Sequence, residues 1–230
     1  LALIILVPLH VASAEKGTFV DRVQFIQYLD ENTALEEVRN GNLDLYYFRV
    51  SSDRIDTEKA RENIEVFEST GGSYSILLNP SVSESFNPFS ITDVRFALNY
   101  LVDRKLIVNE LIGGYGRTMI SNYGTFAADY LSIIDELESF HFKYNPSLAN
   151  QLITEELEKA GAKKIDGSWY YDEKQIEITF FIRSDDPVRK SIGGILSSEL
   201  EKIGFKVNKD FGDLNKAFVV VYGSNPADQK

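Results

Sequence analysis

The 230 residues suffice for one large or two small domains with buried cores, and 43% apolar with 26% charged residues is the make-up of an ordinary folded protein. A formal charge of −11, with no basic tract to offset it, argues against nucleic acid or anionic lipid as a partner. The absence of cysteine excludes disulfides, thiolate nucleophiles, thiolate zinc sites and lipid attachment through cysteine.

Residues 1–9, Leu-Ala-Leu-Ile-Ile-Leu-Val-Pro-Leu, form a short apolar run, and Ala12-Ser13-Ala14 follows with small residues at alternate positions. This pattern predicts a secretory signal peptide over 1–14, with Glu15 as the mature start and a secreted, cell-surface or periplasmic location. The run is too short to span a bilayer. A buried helix or strand opening a domain is the alternative. A basic n-region and an initiator Met are both missing, so the natural chain is expected to begin earlier.

Residues 23–29 read as a strand rich in β-formers. Asn32 is a candidate cap for a short helix carrying Ala34, Leu35 and Val38 on one face, closed by Gly41. Residues 43–48 read as a second strand, which together predicts strand–helix–strand and a parallel crossover. A polar helical stretch at 57–63, a strand at 64–67, a turn at Gly71-Gly72 and a strand at 74–79 stopped by Pro80 follow.

Thr92 or Asp93 opens a helix in which Val94, Ala97, Leu98, Leu101 and Val102 recur at helical spacing. Asp103 caps a further helical run, 106–112, ended by Gly113-Gly114, and a loop with Gly116, Asn122, Tyr123 and Gly124 comes next. Asn145 with Pro146 starts a strong helix over 147–160, closed by Gly161. Asp166-Gly167 predicts a tight turn before Trp169.

Ile176, Ile178, Phe180 and Ile182 alternate with Glu177, Thr179 and Arg183, a half-buried strand. Asp186-Pro187 opens a helix burying Val188, Ile192, Ile195, Leu196, Leu200 and Ile203, and a strand follows Gly204. Residues 218–222 read as a last strand before a Gly-Ser-Asn-Pro turn. The pattern predicts two α/β blocks, 15–143 and 144–230, with the second one truncated.

Catalytic signatures are missing. Beside His10 in the expected signal stands only His141, too little for a histidine-centred triad, and no G-x-S-x-G elbow occurs. The run Gly113-Gly114-Tyr115-Gly116-Arg117-Thr118 lacks the lysine of a phosphate loop and follows a helix. Asp185-Asp186 reads as helix capping and Glu155-Glu156 as an exposed helix face. No EF-hand loop is present, so no enzyme, cofactor or metal site is expected.

Three stretches carry a family resemblance. The first runs from Asp93-Val94-Arg95-Phe96-Ala97-Leu98-Asn99-Tyr100-Leu101-Val102-Asp103-Arg104 to the glycines at 113–116. The second is Ala34-Leu35 with Gly41-Asn42-Leu43-Asp44, and the third combines Asn145-Pro146, Ala160-Gly161 and residues 200–207, Leu-Glu-Lys-Ile-Gly-Phe-Lys-Val. In order and spacing they resemble the family 5 extracellular solute-binding proteins, which bind peptides, dipeptides or nickel complexes for ABC importers. Most of these residues also have plain structural readings: Asp93 as a cap, Arg95 and Arg104 paired with acids, glycines in turns.

The resemblance implies a periplasmic-binding-protein-like α/β fold with two lobes and mixed sheets, a ligand cleft between them, and a membrane permease as partner. It also implies that Asn79 faces the cleft and that Asn122 and Tyr123 lie near it, where amide and phenol groups can bond a peptide backbone. Two departures stand out. The expected signal runs almost directly into the first strand, and the residues that recognise a peptide's amino terminus would lie beyond position 230, so the natural chain is expected to continue. The competing reading is an extracellular enzyme or cell-surface scaffold that reuses the lobe.

Overall fold

The computed structural model describes residues 20–69, 72–82, 85–124 and 127–223. The expected signal at 1–14 lies outside the described residues, as do Gly71 and the Ser-Asn-Pro part of the last turn.

Eight α-helices and five strands are present among them: α1 (Glu31–Arg39), α2 (Ser52–Lys59), α3 (Thr92–Ala97), α4 (Arg104–Leu106), α5 (Ala128–Ser139), α6 (Pro146–Lys159), β1 (Lys163–Ile165), β2 (Ser168–Tyr171), β3 (Lys174–Gln175), β4 (Glu177–Arg183), α7 (Pro187–Lys202), β5 (Lys206–Gly212) and α8 (Leu214–Tyr222).

The second half follows its local signals. The Asn145 side chain accepts a 3.1 Å hydrogen bond from the Leu148 amide, and Pro146 fills the first helical position of α6. Ala149, Ile153 and Leu157, one turn apart, have no exposed surface. Asp166 and Gly167, both at positive φ (+48° and +81°), turn β1 back onto β2 with Ile165 opposite Ser168. β3 adds to β2 antiparallel.

β4 and β5 pair in parallel from Glu177↔Lys206 to Arg183↔Gly212, with α7 as the crossover, so this strand–helix–strand unit forms as expected. Gly193 lets α7 close on β4, because a Cβ there would stand 2.6 Å from Ile182 Cγ2.

The core joins α3 to this unit. Val94, Ala97 and Leu101 pack with Ala149, Ile153, Leu157, Trp169, Ile176, Leu200 and Phe205, so residues from either side of position 143 share it. An aromatic group of Phe96, Tyr100, Phe140 and Phe142, with centroids 5.1–6.1 Å apart, ties α3 to the segment before α6.

Several details differ from the sequence reading. α3 is capped at Ile91 without a side-chain bond, so Asp93 is a first-turn acid and not the cap. Arg95 donates to the carbonyls of Phe89 (2.5 Å) and Ser90 (3.1 Å), and Arg104 to the carbonyl (2.9 Å) and side chain (2.7 Å) of Asn99. Both guanidiniums brace backbone carbonyls where paired acids were expected. Residues 218–222 form the end of helix α8: Asp213 accepts from the Lys216 amide at 2.9 Å, and the Phe218 ring packs at a tilt against Tyr222 one turn on, which outweighs the β-propensity of the valines. α5 was not expected at all.

The first half diverges most. α1 forms and ends at Gly41 (φ +72°), but its cap is Asp30, which accepts from the Thr33 amide at 2.9 Å, where Asn32 was expected. α2 lies several residues before the helix expected at 57–63. Segments 23–29, 43–48, 64–67 and 74–79 take no strand partners among the described residues, and the crossover expected around α1 is absent there. Their β-forming composition reads as strand, but a strand needs a neighbour to receive its backbone groups. Phe25, Leu29, Tyr47 and Leu77 are each more than 60% exposed. Hydrogen exchange should therefore be fast in these four segments and slow in β4, α7 and β5; equal protection in both would contradict this division.

α1 and α2 are held together by a buried carboxylate. Glu58 is 2% exposed and receives Arg39 in two hydrogen bonds and Arg61 at 3.2 Å. The Arg39 hydrogen bonds hold its carboxyl below the ordinary 4.5, against the opposing effect of burial. Folded protein thus binds this proton less readily than unfolded chain, so the stabilisation is complete above 4.5 and is lost as pH falls through the folded value. A Glu58→Gln variant should be less stable at neutral pH, with the deficit shrinking below pH 4.5 in thermal melts; a deficit independent of pH would contradict the ion pair.

Candidate functional site

A half-open concavity of ≈ 230 Å³ lies between the N-terminal ends of α1 and α2 and the segment before α2. Its walls are Tyr28, Leu29, Tyr46, Phe48 and the charged or polar groups of Glu31, Arg49 and Ser51. Glu31 is already occupied: it accepts from the Ser51 amide at 3.0 Å and the Ser51 hydroxyl at 2.7 Å, with Arg54 at 3.8 Å. A carboxylate at this place also faces the positive ends of two helices. Tyr46 is half-buried, and burial, reinforced by Glu31 and Asp30, raises its pKa, so the phenol keeps its proton and its capacity to donate.

Arg49 reaches from this concavity toward α7. It donates to the Tyr74 hydroxyl at 2.9 Å and stands 3.7 Å from Asp186, while Arg189 donates to Asp186 at 3.1 Å and lies over the Tyr74 ring at 5.2 Å. Asp186 is itself the cap of α7, accepting from the Arg189 amide at 3.0 Å. Two guanidiniums thus converge on one carboxylate and one phenol. Such aromatic walls with a few convergent polar groups are the usual make-up of a small-solute site.

A second, more open concavity of ≈ 330 Å³ is lined by Tyr144, Ser147, Asn150, Lys164, Glu199 and Lys202 among others. Glu199 and Lys202 are engaged with each other: Glu199 accepts from Lys202 at 2.6 Å and from Tyr144 at 3.0 Å.

The residues singled out from sequence lie elsewhere. Asn79 is half-buried at a turn, its side chain accepting from the Ser81 amide (3.0 Å) and its carbonyl from Asn87 (2.8 Å). Asn122 and Tyr123 are exposed in a loop where Ser121 accepts from the Tyr123 amide at 3.2 Å. Neither concavity is lined by any of the three. Sequence reasoning missed Arg49, Tyr74 and Arg189, whose association depends on chain folding between distant segments.

His141 is exposed in a turn at φ +50°. Among the described residues, no group of three or more His, Cys, Asp or Glu could hold a metal ion, and no helix is long and apolar enough to cross a membrane.

The chain is similar to several characterised proteins. A probable ABC transporter-binding protein from Deinococcus radiodurans is 25% identical over 203 residues, covering 83% of this chain and 33% of the relative. The oligopeptide-binding protein AppA from Bacillus subtilis, solved in complex with a nonapeptide, superposes with a TM-score of 0.59 at 23% identity, over 82% of this chain and 36% of that one. NikZ from Campylobacter jejuni, solved in complex with Ni(L-His), superposes with a TM-score of 0.57 at 26% identity, over 84% of this chain and 36% of that one. The chain spans about a third of the length of these relatives, and its fold is α/β with mixed sheets, as in the periplasmic-binding proteins. The profile for bacterial extracellular solute-binding proteins, family 5 Middle, matches residues 15–225, and the chain belongs to that family.

Proposed function

We propose that this chain is part of an extracytoplasmic solute-binding protein that captures short peptides or similar small solutes and delivers them to the membrane permease of an ABC importer. The observation that carries the reading is the family match over 15–225, supported by superposition on a nonapeptide complex and on a nickel–histidine complex. Capture without chemistry also suits the sequence, which holds a single histidine outside the expected signal and no cysteine.

The aromatic concavity beside Arg49 is one part of the capturing surface in this reading. Asn79 and the loop of Asn122 and Tyr123 are further candidate contacts, proposed from the family resemblance. Export through the signal at 1–14 is part of the same proposal.

The test is thermal unfolding of the full-length protein with and without a random tripeptide pool. A ligand that prefers the folded state raises the transition by mass action, about 2.7 kcal/mol at a hundredfold excess over Kd. A saturable rise supports capture; an unmoved transition in folded, full-length protein counts against a peptide-type solute.

A further inference from the structure

We infer that Arg49 anchors the carboxylate of a captured solute, specifically the C-terminal carboxylate of a short peptide, an assignment that rests on the solute-capture reading. Three observations lead there. The Arg49 side chain is 65% exposed and its nearest carboxylate, Asp186, stands at a loose 3.7 Å. Releasing Arg49 leaves Asp186 paired: only 12% exposed, it keeps Arg189 at 3.1 Å and the Arg189 amide at 3.0 Å. Arg49 and Arg189 together outnumber Asp186, the carboxylate they share, by one charge.

The rest of the concavity suits one residue of a solute. Tyr28, Tyr46 and Phe48 supply aromatic surface, and Glu31, the carboxylate on its wall, is tied to Ser51 and faces Arg54. A volume of ≈ 230 Å³ admits a terminal residue and not a whole oligopeptide. A guanidinium is the one side chain that can clasp a carboxylate through two parallel N–H donors. Such a clasp exchanges one hydrogen bond to the Tyr74 hydroxyl and the loose approach to Asp186 for two parallel charge-assisted bonds, while Tyr74 stays in contact with Arg189.

The experiment is calorimetric titration of full-length protein with a tripeptide pool lacking Asp and Glu, once with free C-termini and once C-amidated. Wild type should bind the amidated pool about tenfold to a hundredfold more weakly. Arg49→Gln should lose a similar factor for the free acids and show little further loss on amidation, and Arg49→Lys, which keeps the charge without the fork, should fall between. Because Arg49 is exposed, the variants should keep the wild-type unfolding transition. Equal affinity of wild type for both pools, or an undiminished amidation penalty in Arg49→Gln, overturns the anchor while leaving capture intact. Wild type that binds neither pool overturns the capture reading, and the anchor with it.

Discussion

Trp169→Ala should lower the unfolding free energy by about 3–5 kcal/mol, among the largest losses available to a single substitution in this chain. The indole has no exposed surface and sits where α6, the β1–β2 hairpin and the end of α7 meet. Its Nε1 donates to the Ile203 carbonyl at 2.9 Å, its amide to the Gly204 carbonyl at 3.0 Å, and its carbonyl accepts from Ile176 at 2.8 Å. The backbone bonds survive truncation, but the indole's volume and the bond to Ile203 do not.

Trp169→Phe separates the two effects, since it retains most of the volume and leaves the Ile203 carbonyl unpaired, at about 1–3 kcal/mol. Urea unfolding followed by far-UV circular dichroism measures both, because Trp169 is the sole tryptophan and its fluorescence is lost. A loss below about 1 kcal/mol for the alanine variant would place the core elsewhere.

Gly204→Ala should be comparably damaging for a different reason. Gly204 stands at φ +107°, a conformation that side chains strain to adopt at about 1–3 kcal/mol. A Cβ would also lie 2.4 Å from the Gly167 carbonyl and 3.2 Å from Trp169 Cδ1. The backbone cannot easily withdraw, since the Trp169 amide holds the Gly204 carbonyl, so overpacking adds about 1–3 kcal/mol.

Gly194→Ala is the matched control. Nothing lies within 4 Å of its Cβ position on α7, and the substitution should stabilise the helix by up to about 1 kcal/mol. Urea midpoints that fall for Gly204→Ala and hold or rise for Gly194→Ala agree with the packing; the reverse order contradicts it.

Local chemistry explains which parts of this fold were legible. Asn145-Pro146, Asp186-Pro187 and Asp166-Gly167 each satisfy or redirect their own backbone within a few residues, so α6, α7 and the β1–β2 turn follow from sequence alone. α5 carries a helical pattern in Tyr130, Ile133, Ile134 and Leu137, but its cap is Ala127 without a side-chain bond, so no start signal marked it. In α8 the cap at Asp213 was readable, yet the run of valines pointed to a strand. The segments at 23–29, 43–48 and 74–79 show how β-propensity overreaches, because it reports residues that suit a pleated surface and not a partner.

The site was less legible than the fold. Asn79 was singled out because the family resemblance implies that it faces the cleft, and its side chain and carbonyl accept from Ser81 and Asn87 at a turn. Arg49, Tyr74 and Arg189 bear no motif; only folding brings the first two, 25 residues apart, to the cap of α7 at Asp186.

The most direct measurement is equilibrium dialysis of the full-length protein against a free-carboxylate tripeptide pool, with mass spectrometry of what is retained. Solute capture predicts saturable enrichment of a subset of peptides, approaching one per protein molecule. Retention no greater than that of an unrelated folded protein of similar charge would contradict it.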